Sequence, residues 1–452
     1  MTPAGRLQAV IEALDLIRTD PRPADQVLHG FFRERRYIGG SDRRKVAALF
    51  WGVMRMRARL AADCALAEGS RPTDAQVRAE DGRRLVLAFC ARERREGEAD
   101  LALFGAGGYG PEAPTSGERD WLTALRRVKP SERPDWAWAE CPQWLWPRFT
   151  EIAGDGLEAE TRAARGEGPL DLRVNTLKTD REAARARLAA EGIASEPTPF
   201  SPLGLRCTGR PDVAGTKAFA DGWVEVQDEG AQIVAMLVGA KPGETVADYC
   251  AGAGGKTLAL AAAMENRGRL IAFDVAERRL DRSAQRLRRA GAFNVTRHTI
   301  AAGADKWIKR HKATFDRVLA DAPCSGSGTW RRNPDARWRL TPAMLDNLAR
   351  VQAEVLDGAA RLVRPGGRLI YATCSLFPEE NGARTAAFLD RRPDFRPVPV
   401  ADLWPADVPS PSGLGDSPAL TLTPGRHGCD GFFAAVLERT DAPPSQERID
   451  TP

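Results

Sequence analysis

At 452 residues, 43% hydrophobic and 28% charged, the chain exceeds one ordinary core and is expected to form about two to three domains that need no covalent staples. Its formal net charge of +5 is a mild excess, unevenly distributed. The eight cysteines are dispersed without a secretory disulfide framework or paired metal-ligand spacing, and four histidines leave a zinc site short of ligands, so reduced thiols in a cytoplasm and no metal are expected.

Near the N-terminus, Arg6, Glu12, Asp15 and Arg18 interrupt any signal-peptide core, and no apolar run is long enough to span a bilayer, so no membrane partner is expected. From Leu7 to about Arg95 the pattern is helical, with apolar positions such as Val10, Ile11, Leu14 and Ile17. Within it, Arg33, Arg35, Arg36, Arg43, Arg44, Lys45, Arg55, Arg57 and Arg59 face only Glu34 and Asp42, which suits a phosphate-binding face or, equally, a solvated arginine-rich surface. Gly105 to Gly117 reads as a loop or hinge. Helical character resumes from Glu118, and Pro142-Gln143-Trp144-Leu145-Trp146 opens another short helix whose aromatics suit packing.

The period then changes. Leu170 to Asn175 alternates like a strand, Asp180 to Glu191 is a helix capped by Asp180, and short strands surround Leu203 to Cys207 and Trp223 to Val226. From Gln227 onward, short apolar strands alternate with amphipathic helices, the pattern of a doubly wound sheet. Pro405 to Pro424 reads as a loop before a last strand, Gly431 to Leu437. The expected organisation is a helical domain over residues 1–135, linker helices and a small α/β module over 136–226, an α/β domain over 227–440 and a flexible tail over 441–452.

Strand Thr245-Val246-Ala247-Asp248-Tyr249 runs into Cys250-Ala251-Gly252-Ala253-Gly254-Gly255-Lys256-Thr257 and a helix of small residues. Glycines there let the backbone approach a ligand closely, and the helix N-terminus favours polar or anionic groups. A nucleotide phosphate loop is excluded, because Cys250 stands where its first glycine is required. The next strand, Arg269 to Phe273, ends in Asp274, placed to accept both hydroxyls of a ribose. That arrangement serves a nicotinamide dinucleotide and a methyl donor equally. Asp305 suits either an adenine contact or an ordinary surface or cap role.

Two later strand ends separate these options. Arg317-Val318-Leu319-Ala320 leads into Asp321-Ala322-Pro323-Cys324-Ser325-Gly326, and Arg368-Leu369-Ile370-Tyr371 leads into Ala372-Thr373-Cys374-Ser375. Pyrimidine C5 is too poor a nucleophile to take a methyl group directly, so an enzyme must first add a thiolate to C6 and later eliminate it. Two cysteines at neighbouring strand ends supply one group to attack and one to assist release. Asp321 can hold the N3/N4 edge of a cytosine, where protonation relieves the charge that sulfur addition creates. Spacing alone leaves the division of labour between Cys324 and Cys374 open.

The ordered set Asp248 to Thr257, Asp321 to Gly328 and Ala372 to Ser375 resembles the RNA cytosine-C5 methyltransferases, the family of bacterial small-subunit rRNA enzymes and nucleolar relatives. The resemblance extends from about Leu170 to Arg439 and takes in Arg173 to Lys178, Val226 to Gln232 and His427 to Phe433. It implies a C-terminal class I, Rossmann-like methyltransferase domain, a preceding small α/β RNA-binding module and an N-terminal all-helical domain similar to that of antitermination factors. It assigns the nucleophile to Cys374 and product release to Cys324, whereas a DNA-type Pro-Cys nucleophile would point to Cys324.

The same resemblance places S-adenosylmethionine against Cys250, Ala251, Gly252, Ala253, Gly254, Gly255, Lys256, Asp274, Asp305 and Asp321, with Ala253 where the family commonly has proline. Lys256 is expected to orient Asp321 or line the substrate pocket. Arg331-Arg332-Asn333-Pro334-Asp335 offers arginines for target phosphates or for structural ion pairs. The implied partner is RNA, small-subunit rRNA or an assembly intermediate. The rival readings are a tRNA methyltransferase and a non-catalytic ribosome assembly factor.

Overall fold

The computed structural model describes residues 1–93, 97–300, 306–414 and 417–440. Asp305 and the expected tail at 441–452 lie outside the described residues. The chain divides into two compact units: Met1–Glu167 together with Trp330–Leu340, and Gly168–Thr329 together with the chain from Thr341 onward. No helix among the described residues is long and apolar enough to cross a membrane.

The first unit is all-helical. Its opening helix, Pro3–Thr19, starts on Thr2, whose hydroxyl accepts from the Gly5 amide at 3.1 Å, and it buries Leu7, Val10, Ile11 and Leu14. Helix Gly82–Arg92 packs against it, and a Cβ at Gly82 would lie 2.5 Å from the Ile11 carbonyl, so this helix crossing requires glycine. Glu140 caps helix Arg57–Ala67 by accepting from the Ala58 and Arg59 amides at 2.9 and 3.1 Å.

The basic run from Arg33 to Arg59 is not one surface, and Arg35, Arg43 and Arg55 are half-buried. Arg33, Arg36, Arg44 and Lys45 are exposed. Arg57 and Arg59 are buried, the first donating to the Val77 and Arg78 carbonyls and the second to Glu140. The distal arginines are thus internal scaffolding, because their long stems cross the core to reach polar groups. Arg331 is also buried and Arg332 half-buried, and beyond them Arg337 is structural, donating to the carbonyls of Glu140, Ala164 and Trp330 at 2.6 to 3.0 Å.

The second unit contains two sheets. The smaller is antiparallel, with β1 (Asp171–Val174), β2 (Ser195–Pro197), β3 (Gly204–Cys207) and β4 (Val224–Val226) in the order β2-β3-β1-β4. It packs on helix Arg181–Ala190, which Asp180 caps as expected. The larger sheet contains β5 (Thr245–Asp248), β6 (Arg269–Asp274), β7 (Val295–Thr299), β8 (Phe315–Asp321), β9 (Val363–Thr373), β10 (Phe395–Val398), β11 (Ala419–Leu422) and β12 (Phe432–Arg439). Its order is β10-β12-β9-β8-β5-β6-β7, with β11 also paired to β12.

From β7 to β9 the pairing is parallel, and strands carrying Val246-Ala247, Leu270 to Phe273, Val318 to Ala320 and Leu369 to Ala372 are buried, as strands covered on both faces must be. β10, β11 and β12 add antiparallel pairs. The stretch Pro405 to Pro424, expected to be loop, therefore contains β11. Strand order reverses direction at β5, which lies between β6 and β8, and ligands of such sheets bind at the C-terminal ends of the strands beside that point.

Candidate active site

Parallel registry brings the functional segments to one edge. Asp248 pairs with Ala272 and Leu319, and Asp321 pairs with Ala372, so the residues following β5, β6, β8 and β9 emerge together. After β5, the backbone turns through Gly252 and Gly254 with φ of 55° and 82° before helix Gly255–Ala263 begins. A Cβ at Gly254 would lie 2.9 Å from that of Ser283, so glycine is required here by both conformation and space. The Ala253 carbonyl accepts from Arg286 at 2.7 Å, which fixes this turn without the proline the family commonly has.

Asp274 is 5% exposed at the end of β6. Its two oxygens accept from the Gly252 and Ala276 amides at 2.9 and 2.8 Å. The carboxylate therefore shapes the glycine turn, and its remaining lone pairs are what it has for a ribose. Asp248 went unassigned in the sequence, although it lies in the motif. It is buried, one oxygen accepts from Thr257 at 2.7 Å, and Oδ1 has no hydrogen-bond partner among the described residues. Burial pushes its pKa up to about 7, the hydrogen bond from Thr257 opposing this. A glycine-rich turn, an acid at each neighbouring strand end and one orphaned buried oxygen fit S-adenosylmethionine. Burial, reinforced by Asp321, Asp248 and Asp274, pushes the Cys250 thiol well up, which keeps it neutral.

On the other side, Lys256 in the first turn of the helix reaches Asp321 at 2.7 Å. Burial works against the lysine charge, but Asp321 outweighs it and the pKa is raised. Lys256 Nζ also stands 5.1 Å from the centroid of the Phe432 ring. The structure thus brings Lys256 and Asp321, both expected site residues, together.

The sulfurs of Cys324 and Cys374 are 3.4 Å apart. The Cys324 thiol is pushed well up, first by its hydrogen bond to Cys374, then by burial and the nearby charges of Cys374 and Glu380. Cys324 is therefore kept as S–H beside its partner. The loops carrying the two thiols are joined by groups that the sequence did not single out. Glu380 accepts from the Ser325 amide at 2.8 Å, from Gln352 Nε2 at 2.9 Å, and from the hydroxyls of Ser325 and Ser375. Ser327 Oγ accepts from the Leu376 amide at 2.8 Å, and Asn381 Nδ2 donates to the Ser375 carbonyl at 2.9 Å. Glu379-Glu380-Asn381 after Pro378 was the only trace of this cluster, and paired acids read as surface.

Comparison with known proteins bears on this edge of the sheet. A family model described as 16S rRNA methyltransferase RsmB/F matches residues 235–438, and a model of the ferredoxin-like domain of RsmF/B-like methyltransferases matches residues 141–214. A probable ribosomal RNA small subunit methyltransferase B from Synechocystis sp. is 38% identical over 305 residues, an alignment spanning 66% of this chain and 66% of that relative's length. The crystal structure of PH0851 matches with a TM-score of 0.76 at 29% identity, covering 97% of this chain and 99% of that one. A methyltransferase homolog protein from Pyrococcus horikoshii matches with a TM-score of 0.58 at 30% identity, covering 69% of this chain and 100% of that one.

Proposed function

We propose for this chain, which belongs to the RsmB/F family of 16S rRNA methyltransferases, the methylation of cytosine C5 in small-subunit rRNA through a covalent cysteine adduct. The observation that carries this reading is the pair of thiols 3.4 Å apart beside the Lys256–Asp321 ion pair at 2.7 Å. A methyltransferase acting on a nitrogen or a ribose hydroxyl has no use for two adjacent sulfurs at its strand ends.

S-adenosylmethionine, held by Cys250 to Lys256 and Asp274, supplies an electrophilic methyl group when bound. Cys374, as thiolate, adds to C6 of the target cytosine and forms the S–C6 bond, which pushes electron density onto C5. Asp321, fixed by Lys256, holds the N3/N4 edge and stabilises the charge that develops there. After C5 is methylated, Cys324 removes the C5 proton, the S–C6 bond breaks, and its electron pair returns to Cys374 as thiolate. The electrostatics suit this order. Cys374 holds the Cys324 proton in place while it is a free thiolate, and bonding of Cys374 to carbon removes the largest cause of that hold. Cys324 then gives up its proton to water, and the resulting thiolate is the base at the step that needs one. The cytosine must leave its stack to reach these groups, so an accessible stretch or assembly intermediate is the expected substrate.

Transfer of labelled methyl groups to small-subunit rRNA and tRNA, with denaturing gels for adducts, tests the reading. Cys374→Ala should abolish adduct and product, lowering turnover by roughly 10³-fold or more. Cys324→Ala should trap protein on RNA. Normal turnover by Cys374→Ala would sink the assignment, and labelling of tRNA alone would transfer the same chemistry to another substrate.

A further inference from the structure

The two cysteines sit on separate loops, after β8 and after β9, and each is followed by a serine. One carboxylate grips both serines. Glu380, with no exposed surface, takes the Ser325 amide and hydroxyl on one loop and the Ser375 hydroxyl on the other. Its own position is fixed from behind: Tyr371 donates to the Glu380 carbonyl at 2.6 Å, and Gln352 Nε2 lies 2.9 Å from both the Glu380 carboxylate and the Pro323 carbonyl. Thr373 donates to Asn381 at 2.5 Å and so braces the loop after β9, while Gly328 N donates to the Cys374 carbonyl at 2.9 Å, a further tie between the two loops.

A buried carboxylate without a cation among these partners is expensive unless several donors point at it. Four donors do so here, and three of them belong to the two serines that follow the catalytic cysteines. Removing the charge would let both serine hydroxyls turn elsewhere and free each loop to shift by tenths of an ångström. Displacements of that size at reacting atoms are costly to turnover.

We propose that Glu380 is a positioning residue that sets the spacing of Cys324 and Cys374, and so governs release of the methylated base more than binding of the cofactor. This rests on the covalent reading above. Release needs Cys324 close to the C5 proton while Cys374 is bonded to C6 of the same ring, so it is the step most sensitive to the distance between the loops. The Glu380 charge also stands close enough to Cys324 to favour its protonated form before attack, a second effect that disappears with the carboxylate.

The test is single-turnover and steady-state methyl transfer by the full chain carrying Glu380→Gln, with the protein–RNA adduct followed on denaturing gels. The expected result is a kcat lowered about 10- to 100-fold, a KM for S-adenosylmethionine within about twofold of the wild type, and an adduct that persists as it does in Cys324→Ala. Wild-type kcat with no lasting adduct overturns the proposal, as does a fall in kcat matched by an equal loss of cofactor binding. Should Glu380→Gln fail to fold, Ser375→Ala decides: a kcat reduced about tenfold at unchanged cofactor KM supports the clamp, and unaltered turnover refutes it. Cys374→Ala run alongside separates the two readings, since an inactive Cys374→Ala with a normal Glu380→Gln leaves the covalent mechanism standing and removes only the clamp.

Discussion

Asp248 has 1% of its surface exposed, and its pKa is raised to about 7 chiefly by burial. An unfolded aspartate titrates near 3.9, so the folded chain holds a proton there that the unfolded chain has released. This contribution to stability is complete below about pH 4 and is lost as pH rises through about 7, on the order of 4 kcal/mol at most. Asp248→Asn keeps an acceptor for Thr257 and cannot ionise. Without cofactor, its melting temperature relative to the wild type should rise between pH 5 and pH 8, and a difference constant with pH would refute the account. The contrast with Asp321 and Cys324 is instructive about what residues disclose. Thiols after apolar strands and an acid beside Ala-Pro-Cys are legible because few other roles explain them. Asp248 and Glu380 were not, since the type of a carboxylate says nothing about which donors surround it. Asp274 was legible as an acid at the right strand end, yet its amide partners at Gly252 and Ala276 depend on a turn that only the folded backbone defines.

At the level of elements, the central strands could be read because burial on both faces demands unbroken apolar runs, as in Leu270 to Phe273 and Leu369 to Ala372. β2, with Ser195-Glu196-Pro197, and β10, with Phe395-Arg396-Pro397-Val398, carry proline and charge as edge strands do, and nothing in such triplets or quartets separates them from loop. The close approach of the turn after Cys324 to the start of β12 was equally hidden. Gly328 and Gly431 meet there, each bonded to the other's neighbourhood through Gly431 N to Gly328 O at 2.9 Å, and a Cβ at Gly328 would lie 2.3 Å from the Gly431 carbonyl. Because backbone stands on both sides, Gly328→Ala must move one element. The expected cost is about 1–3 kcal/mol of stability, read as a melting temperature lower by about 2–4 °C for each kcal/mol, with turnover reduced more than cofactor affinity. Unchanged melting and turnover would show that the contact yields freely.

The whole molecule is not a string of beads. Its all-helical unit is built from Met1–Glu167 and from Trp330–Leu340, which the chain contributes only after completing β8 and the loop of Cys324. In that unit Trp338 joins Ala58, Ala61, Ala62, Val77, Trp136 and Ala137 in one apolar cluster, and Asp335 accepts from the Ala24 amide at 3.0 Å. A fragment of residues 1–167 should therefore expose an apolar seat, bind a hydrophobic dye and melt below the full chain, and a peptide of residues 330–340 added to it should raise its melting temperature. A fragment that ignores the peptide would show that the seat closes unaided. The basic run belongs to this scale too: Arg33, Arg36, Arg44 and Lys45 are exposed and Arg35, Arg43 and Arg55 half-buried, and under the proposed function any hold these have on RNA should weaken with salt. The split composition of the helical unit also orders events during synthesis. Its first helices leave the ribosome well before Trp330–Leu340 does, and they must wait, with the place of Trp338 empty, until every strand from β1 to β8 has been translated.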